Sequence, residues 1–202
     1  MQKGGGPLFA KRGLGEIWEI CLVNYGTYRK RPPNFKEPGD SMLEKDLART
    51  MEALNVMAEA EEAVGEFYQV CANLPGEDRG FWLQMAGEEA SHKKHIQKIG
   101  ETISRNPEDF SLRRPFNAAA TRMFLSFIRK SKADLEENKI PRERILFVAR
   151  DIERSLLELS YFEIVKTTNP TYEKALKEIH AQTADHSSRL ERRIAGNPPK
   201  GR

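Results

Sequence analysis

Cysteine is scarce in this chain. Of 202 residues, only Cys21 and Cys71 are cysteines, and they lie far apart with no Cys-x-x-Cys pair anywhere. That excludes a four-cysteine zinc or rubredoxin-like iron module and gives no sign of a disulfide framework. A reducing, cytoplasmic setting is the expectation. Long apolar runs are missing too: none approaches the roughly 20 residues that a membrane span requires. The segment IWEICLV near the N-terminus is short, is broken by Glu19, and is followed by no small-residue cleavage site, so no signal peptide is expected. Nor does one sign of charge dominate. The 33 Lys and Arg against 30 Asp and Glu leave a net charge of +3, which suits a soluble helical protein better than a nucleic-acid binder. Finally, no stretch alternates apolar and polar residues in twos, so no strand is expected and the fold class is all-α.

What the chain does have is helical periodicity. Residues 1–41 form a separate N-terminal extension: GLGEIWEICLVNYG has the pattern of a short helix, and YRKRPPNFKEPGDS reads as a basic, proline-containing linker. This extension is expected to pack on the outside of the main domain or on a partner subunit. From about Met42 to Leu74, Leu54, Met57, Glu61, Val64 and Tyr68 recur at intervals of three and four. After the turn NLPGED, Phe81, Met85, Glu89, His92, Ile96, Ile99 and Ile103 form a second line.

RNPEDFSLRRP interrupts it. A third helical stretch spans roughly Asn117 to Asn138, and a fourth runs from Pro141 to about Lys166 with Leu146, Ala149, Glu153, Leu156 and Ser160 aligned. Beyond TTNPTY, a last helix carries Leu176, Ile179, Thr183, His186, Leu190 and Ile194 in register, and a polar tail (196–202) closes the chain. Short loops make antiparallel hairpins of the first and second stretches and of the fourth and fifth. The expected architecture over residues 42–195 is a four-helix bundle of two hairpins, joined by a long crossover that contains the third stretch as a linker helix.

The two hairpins resemble each other, with Glu61 followed by His92 in the first and Glu153 by His186 in the second. A repeat of this length suggests one duplicated hairpin. Glu61, Glu89, His92, Glu153 and His186 all sit on lines otherwise filled by Leu, Met, Ile, Val and Ala. Unpaired buried carboxylates are costly, so three of them in one core are not there for packing. A pair of divalent cations is the simplest way to satisfy them, since iron and manganese accept carboxylate and imidazole together and helical cores are where such sites are built.

The strings EEAVGEFY (61–68), MAGEEASH (85–92) and DIERSLLELSYF (151–162) resemble the ferritin-like superfamily, and within it the rubrerythrin group. The resemblance covers about residues 42–195. It implies a non-haem di-iron protein that reduces peroxide or activates dioxygen, takes electrons from an external donor such as a rubredoxin-like protein, and forms a homodimer or larger homo-oligomer. In that pattern Glu61 and His92 would serve one iron, Glu153 and His186 the other, and Glu89 would bridge them. The sequence departs from it at Thr183, where the group has a second bridging glutamate, and at Leu156, where rubrerythrins often carry a further Glu. The rubredoxin module is absent. With three carboxylates against four positive charges, a site holding one iron, a catalytically weak iron-handling protein and a metal-free bundle with an assembly role are the alternatives.

Other conspicuous residues have quieter readings. His95 is expected to be exposed, and His180 lies one residue off the core line. Glu62, Glu66, Glu88 and Glu158 are expected to face solvent or form surface ion pairs. Tyr68 and Tyr161 either pack in the core or hydrogen-bond a ligating carboxylate.

Overall fold

The computed structural model describes residues 44–112, 118–159, 165–167 and 169–196. The expected N-terminal extension and its short helix, residue Tyr161 and the tail after Gly196 lie outside these. The described residues are mostly helical, as expected for an all-α chain. They form α1 (Glu44–Asn73), α2 (Arg79–Arg105), α3 (Ala118–Glu136), α4 (Arg142–Leu159) and α5 (Pro170–Gly196). No helix among them is long and apolar enough to cross a membrane.

Local chemistry sets the boundaries. Between α1 and α2 the chain turns through Gly76, whose φ of 74° falls in the left-handed region that glycine adopts without cost. Asp78 then caps α2 by accepting the Phe81 N–H at 3.1 Å. The exit from α3 uses Asn138 at φ 55°, and Pro141 precedes the first turn of α4. At the start of α5 the Asn169 side chain accepts from the N–H groups of Thr171 and Tyr172, at 3.1 and 3.3 Å, with Pro170 as the first helical residue.

One element departs from the sequence reading. The fourth helical stretch was expected to continue to about Lys166, but α4 ends at Leu159. Val165–Thr167 (β2) instead pairs antiparallel with Phe110–Leu112 (β1), in the register Phe110 to Thr167, Ser111 to Lys166 and Leu112 to Val165. A three-residue strand is too short to show alternation, so nothing in the pattern marked it. The pair ties the chain just beyond α2 to the segment just before α5, and Thr167 Oγ1 reinforces it by donating to the Asp109 carbonyl at 2.9 Å.

The hairpins α1–α2 and α4–α5 form as expected, and α2 packs against α5. The linker helix α3 lies along α1. Glu52, Glu59 and Glu66, seven apart on α1, meet Arg122, Arg129 and Lys132 of α3 in the same order, so the two helices run parallel. Beneath this ladder Leu125, Ile128 and Leu135 are buried. Exposed ion pairs contribute little compared with such burial. Ile128→Ala is therefore expected to lower stability by about 2–4 kcal/mol, and Arg129→Ala by less than about 1 kcal/mol. Urea unfolding followed by circular dichroism compares the two; equal losses would mean that the ion pairs, not the apolar face, hold α3 in place.

Candidate metal centre

All five residues singled out on the core lines are fully buried: Glu61 on α1, Glu89 and His92 on α2, Glu153 on α4 and His186 on α5 are each 0% exposed. Small residues let the helices close around them. Gly65 lies one turn after Glu61, and a Cβ built there would sit 3.4 Å from the Glu89 Cβ and 3.5 Å from the Ala86 carbonyl oxygen. Ala60, Ala63 and Ala86 are buried beside it. The α1–α2 contact is therefore tight where the acids meet.

The five side chains converge as two overlapping groups. Glu61, Glu89 and His92 place ligand atoms within 4.8 Å of one another, and so do Glu89, Glu153 and His186. Glu89 belongs to both. Its Oε2 lies 3.0 Å from His92 Nδ1 and its Oε1 lies 2.7 Å from His186 Nδ1. Glu61 Oε2 is 3.8 Å from His92 Nδ1, and Glu153 Oε1 is 3.4 Å from His186 Nδ1. The two imidazoles stack, with centroids 5.5 Å apart and planes inclined by 26°.

Of these approaches only that of His92 Nδ1 to Glu89 Oε2 is a hydrogen bond. Both oxygens of Glu61, Oε1 of Glu89, Oε2 of Glu153 and Nδ1 of His186 are buried with no hydrogen-bond partner. The 2.7 Å approach of His186 Nδ1 to Glu89 is too poorly aligned to count as one. Atoms bound to one ion at about 2.0–2.2 Å lie roughly 3–4 Å from each other with their lone pairs converging, which is this arrangement. Buried polar atoms are nearly always paired, so five orphans at one point need a shared partner.

The outward nitrogens are held. His92 Nε2 lies 2.8 Å from Gln182 Oε1, and His186 Nε2 lies 2.7 Å from Glu88 Oε2. Both oxygens accept, so each Nε2 carries a proton, and with an ion bound each Nδ1 would be left to present its lone pair inward, the orientation metal-bound histidines take from their outer partners. Glu88 is itself held by Arg189, whose Nε lies 2.9 Å from Asp185. Tyr68 is fully buried in the core and donates its hydroxyl to Glu153 Oε1, so both of its readings hold together.

Glu88, expected to face solvent or form a surface ion pair, does pair with Arg189 but also reaches inward to His186. It is half-buried and spans from α2 to α5 because the helix rotates about 100° between Glu88 and Glu89, turning one acid inward and the other toward the neighbouring helix. Gln182 was not singled out at all: nothing in its one-dimensional context distinguishes it from an exposed glutamine. Glu62 and Glu66 pair with Lys93 and Lys132 at the surface as expected. His95 is half-buried rather than exposed, and neither it nor the exposed His180 joins the cluster. Thr183 is buried, and its hydroxyl donates to the Ile179 carbonyl at 3.0 Å, so the hydroxyl hydrogen is directed back along its own helix.

Comparison of the chain with protein-family models, curated proteins and solved structures finds no match in any of the three. The reading of the site accordingly stands on its own geometry.

Without an ion, protons hold the cluster together. Burial alone would lower both imidazoles, but the negative carboxylates of Glu61 and Glu89 facing its ring raise His92 to about 11, and those of Glu153 and Glu89 raise His186 to about 10. Burial raises Glu61 to about 8 and Glu153 to about 7. Burial would raise Glu89 as well, but His186 and His92 outweigh it and hold its carboxyl far below the usual range. Four of the five groups thus bind protons more tightly folded than unfolded. Their contribution to stability is complete below the unfolded pKa and is lost as pH rises through the folded one. The loss begins near the ordinary carboxylate value of 4.5 with Glu61 and Glu153. It continues through the histidine values of about 10 and 11. Metal-free protein is therefore expected to become steadily less stable from pH 5 to pH 9, measured as the urea midpoint. A midpoint that rises over this range would show that the cluster is not protonated as described.

Proposed function

We propose that this chain is a rubrerythrin-type, ferritin-like protein whose four helices α1, α2, α4 and α5 bind a pair of iron ions and whose activity is the reduction of peroxide with electrons from an external donor. The observation that carries this reading is the set of unpartnered lone pairs, drawn from four separate helices and aimed at two overlapping points. The donor set fits: three carboxylates and two neutral imidazoles suit iron or manganese.

Each residue has a distinct part. Glu61, with both oxygens unpartnered, is able to hold one ion through two atoms. Glu153 has one oxygen committed to Tyr68 and offers the other. Glu89 spans both positions. Gln182 and Glu88 keep the histidine lone pairs directed inward. Burial and the neighbouring Glu153 push the Tyr68 hydroxyl well above its ordinary value, so it keeps its proton and fixes the rotamer of Glu153.

A bound iron pair supplies the redox chemistry, two electrons that with two protons convert one peroxide to two waters. The electrons would come from a donor such as a rubredoxin-like protein. Charge is also accounted for. Three inner carboxylates leave one positive charge uncompensated against two divalent ions. The outer group of Glu88, Arg189 and Asp185 carries a net charge of −1 beside His186, although the exposure of Asp185 reduces its weight.

A second reading is favoured by one observation. Thr183 stands where rubrerythrins place a glutamate, and its hydroxyl is turned to Ile179, so the ion pair lacks one bridge. A protein that stores or hands on iron with weak redox turnover is consistent with that.

Anaerobic loading with ferrous iron is expected to give up to two ions per chain, and the loaded protein should consume hydrogen peroxide when supplied with a reduced rubredoxin. Glu89→Ala should abolish uptake. Iron content near zero in the folded wild type would end both readings, and uptake without peroxide consumption would favour the storage reading. Thr183→Glu supplies the missing bridge, and is expected to tighten the weaker ion by at least tenfold in a competitive chelator titration. Unchanged or weaker affinity would show that Thr183 does not border the ion pair.

A further inference from the structure

Every helix that contributes a ligand also contributes an apolar residue one or two turns away from it to a common cavity. Met57 precedes Glu61 by four residues on α1, and Ile96 follows His92 by four on α2. Leu156 follows Glu153 by three on α4. On α5, Ile179 and Thr183 precede His186 by seven and three. These five residues, with Leu157, Leu176 and His180, line one cavity. Its volume, about 20 Å³ for the centre of a water-sized sphere, exceeds the roughly 10–15 Å³ that a single water needs.

The lining argues against water. A buried water requires two to four polar partners. Met57, Ile96, Leu156, Leu176 and Ile179 offer none, and the hydroxyl hydrogen of Thr183 already goes to the Ile179 carbonyl. His180 is exposed and Leu157 half-buried, which marks the side of the cavity toward solvent. Cavities lined in this way stay dry and take up apolar guests of matching size. The two departures from the rubrerythrin pattern fall on this cavity: Leu156 and Thr183 occupy positions where that group carries carboxylates, either of which would make the space polar.

We propose that this cavity is a binding site for a small, uncharged, apolar molecule of the size of dioxygen, held one helical turn from the metal cluster with Thr183 at the boundary between them. Its use as a store of dioxygen beside the ion pair rests on the function proposed above; the binding itself does not.

The test uses the full-length, metal-free protein and xenon as the probe. Methyl resonances of Met57, Ile96, Leu156 and Ile179 should shift saturably with xenon pressure, while those of the exposed Leu83 and Met123 should not. Ile179→Phe is designed to fill the space and should weaken xenon binding at least tenfold. Leu176→Phe, at the less buried edge, serves the same purpose should the first variant fail to fold. Absence of a saturable shift in the folded wild type, or undiminished xenon binding in a folded filled variant, overturns the proposal. Ordered water detected in the cavity by nuclear Overhauser effects would do the same. Xenon uptake by a chain that refuses iron would overturn the metal reading and uphold the cavity; iron uptake without xenon binding would do the reverse.

Discussion

Five ionisable side chains buried at one point between four helices set the terms for everything else in this structure. Placing a single charge in a protein interior costs several kcal/mol even after relaxation, and a whole domain of this size is stable by only about 5–15 kcal/mol. Three carboxylates and two imidazoles left without partners would consume that margin. Such a core persists only if its charges are compensated on the spot. Protons do so partially, through imidazoliums set against Glu89, but they leave the lone pairs of Glu61, Glu89 and Glu153 unused. Cations at the two convergence points would satisfy all of them at once.

The surrounding architecture serves that convergence. Each hairpin brings together half of the cluster by local connection, but the two halves have to be held in register over a long crossover. The linker helix α3, laid parallel to α1 over a buried apolar face, takes up part of that length. The β1–β2 pair fastens the far end, joining the chain just after α2 to the chain just before α5. Neither element touches the cluster. Both restrict how α4 and α5 can slide relative to α1 and α2, and a slide of one turn would carry Glu153 and His186 away from the convergence points.

Periodicity made the inner residues legible and left their supports hidden. A glutamate between Met57 and Val64, or a histidine between Met85 and Ile96, is out of place on an apolar line, and that contradiction pointed to all five. The same logic fails for Glu88, Gln182 and Arg189. They lie on faces where polar residues are expected, and only the relative placement of α2 and α5 shows that two of them reach the back of each imidazole. The strand pair escaped for a different reason: three residues span little more than one alternation, and their pairing depends on a partner more than fifty residues away. Tyr68 falls between these cases, because its aromatic ring fits the core line while its hydroxyl finds Glu153 across helices.

Thr183 brings these strands together. On the function proposed above, a threonine whose hydroxyl is spent on its own helix stands where a bridging carboxylate would supply an inner negative charge and, at the same place, a polar wall. The first loss is partly met from outside, where Glu88 leans on His186 and is shared with Arg189. The second is not met at all, and Thr183 also lines an apolar cavity to which all four cluster helices contribute. A site built this way is asymmetric: His92 is backed by a neutral amide, His186 by a carboxylate, and the open side faces an apolar space. An imidazole hydrogen-bonded to a carboxylate is the stronger donor, so the ion at Glu153 and His186 would be held by the more basic ring.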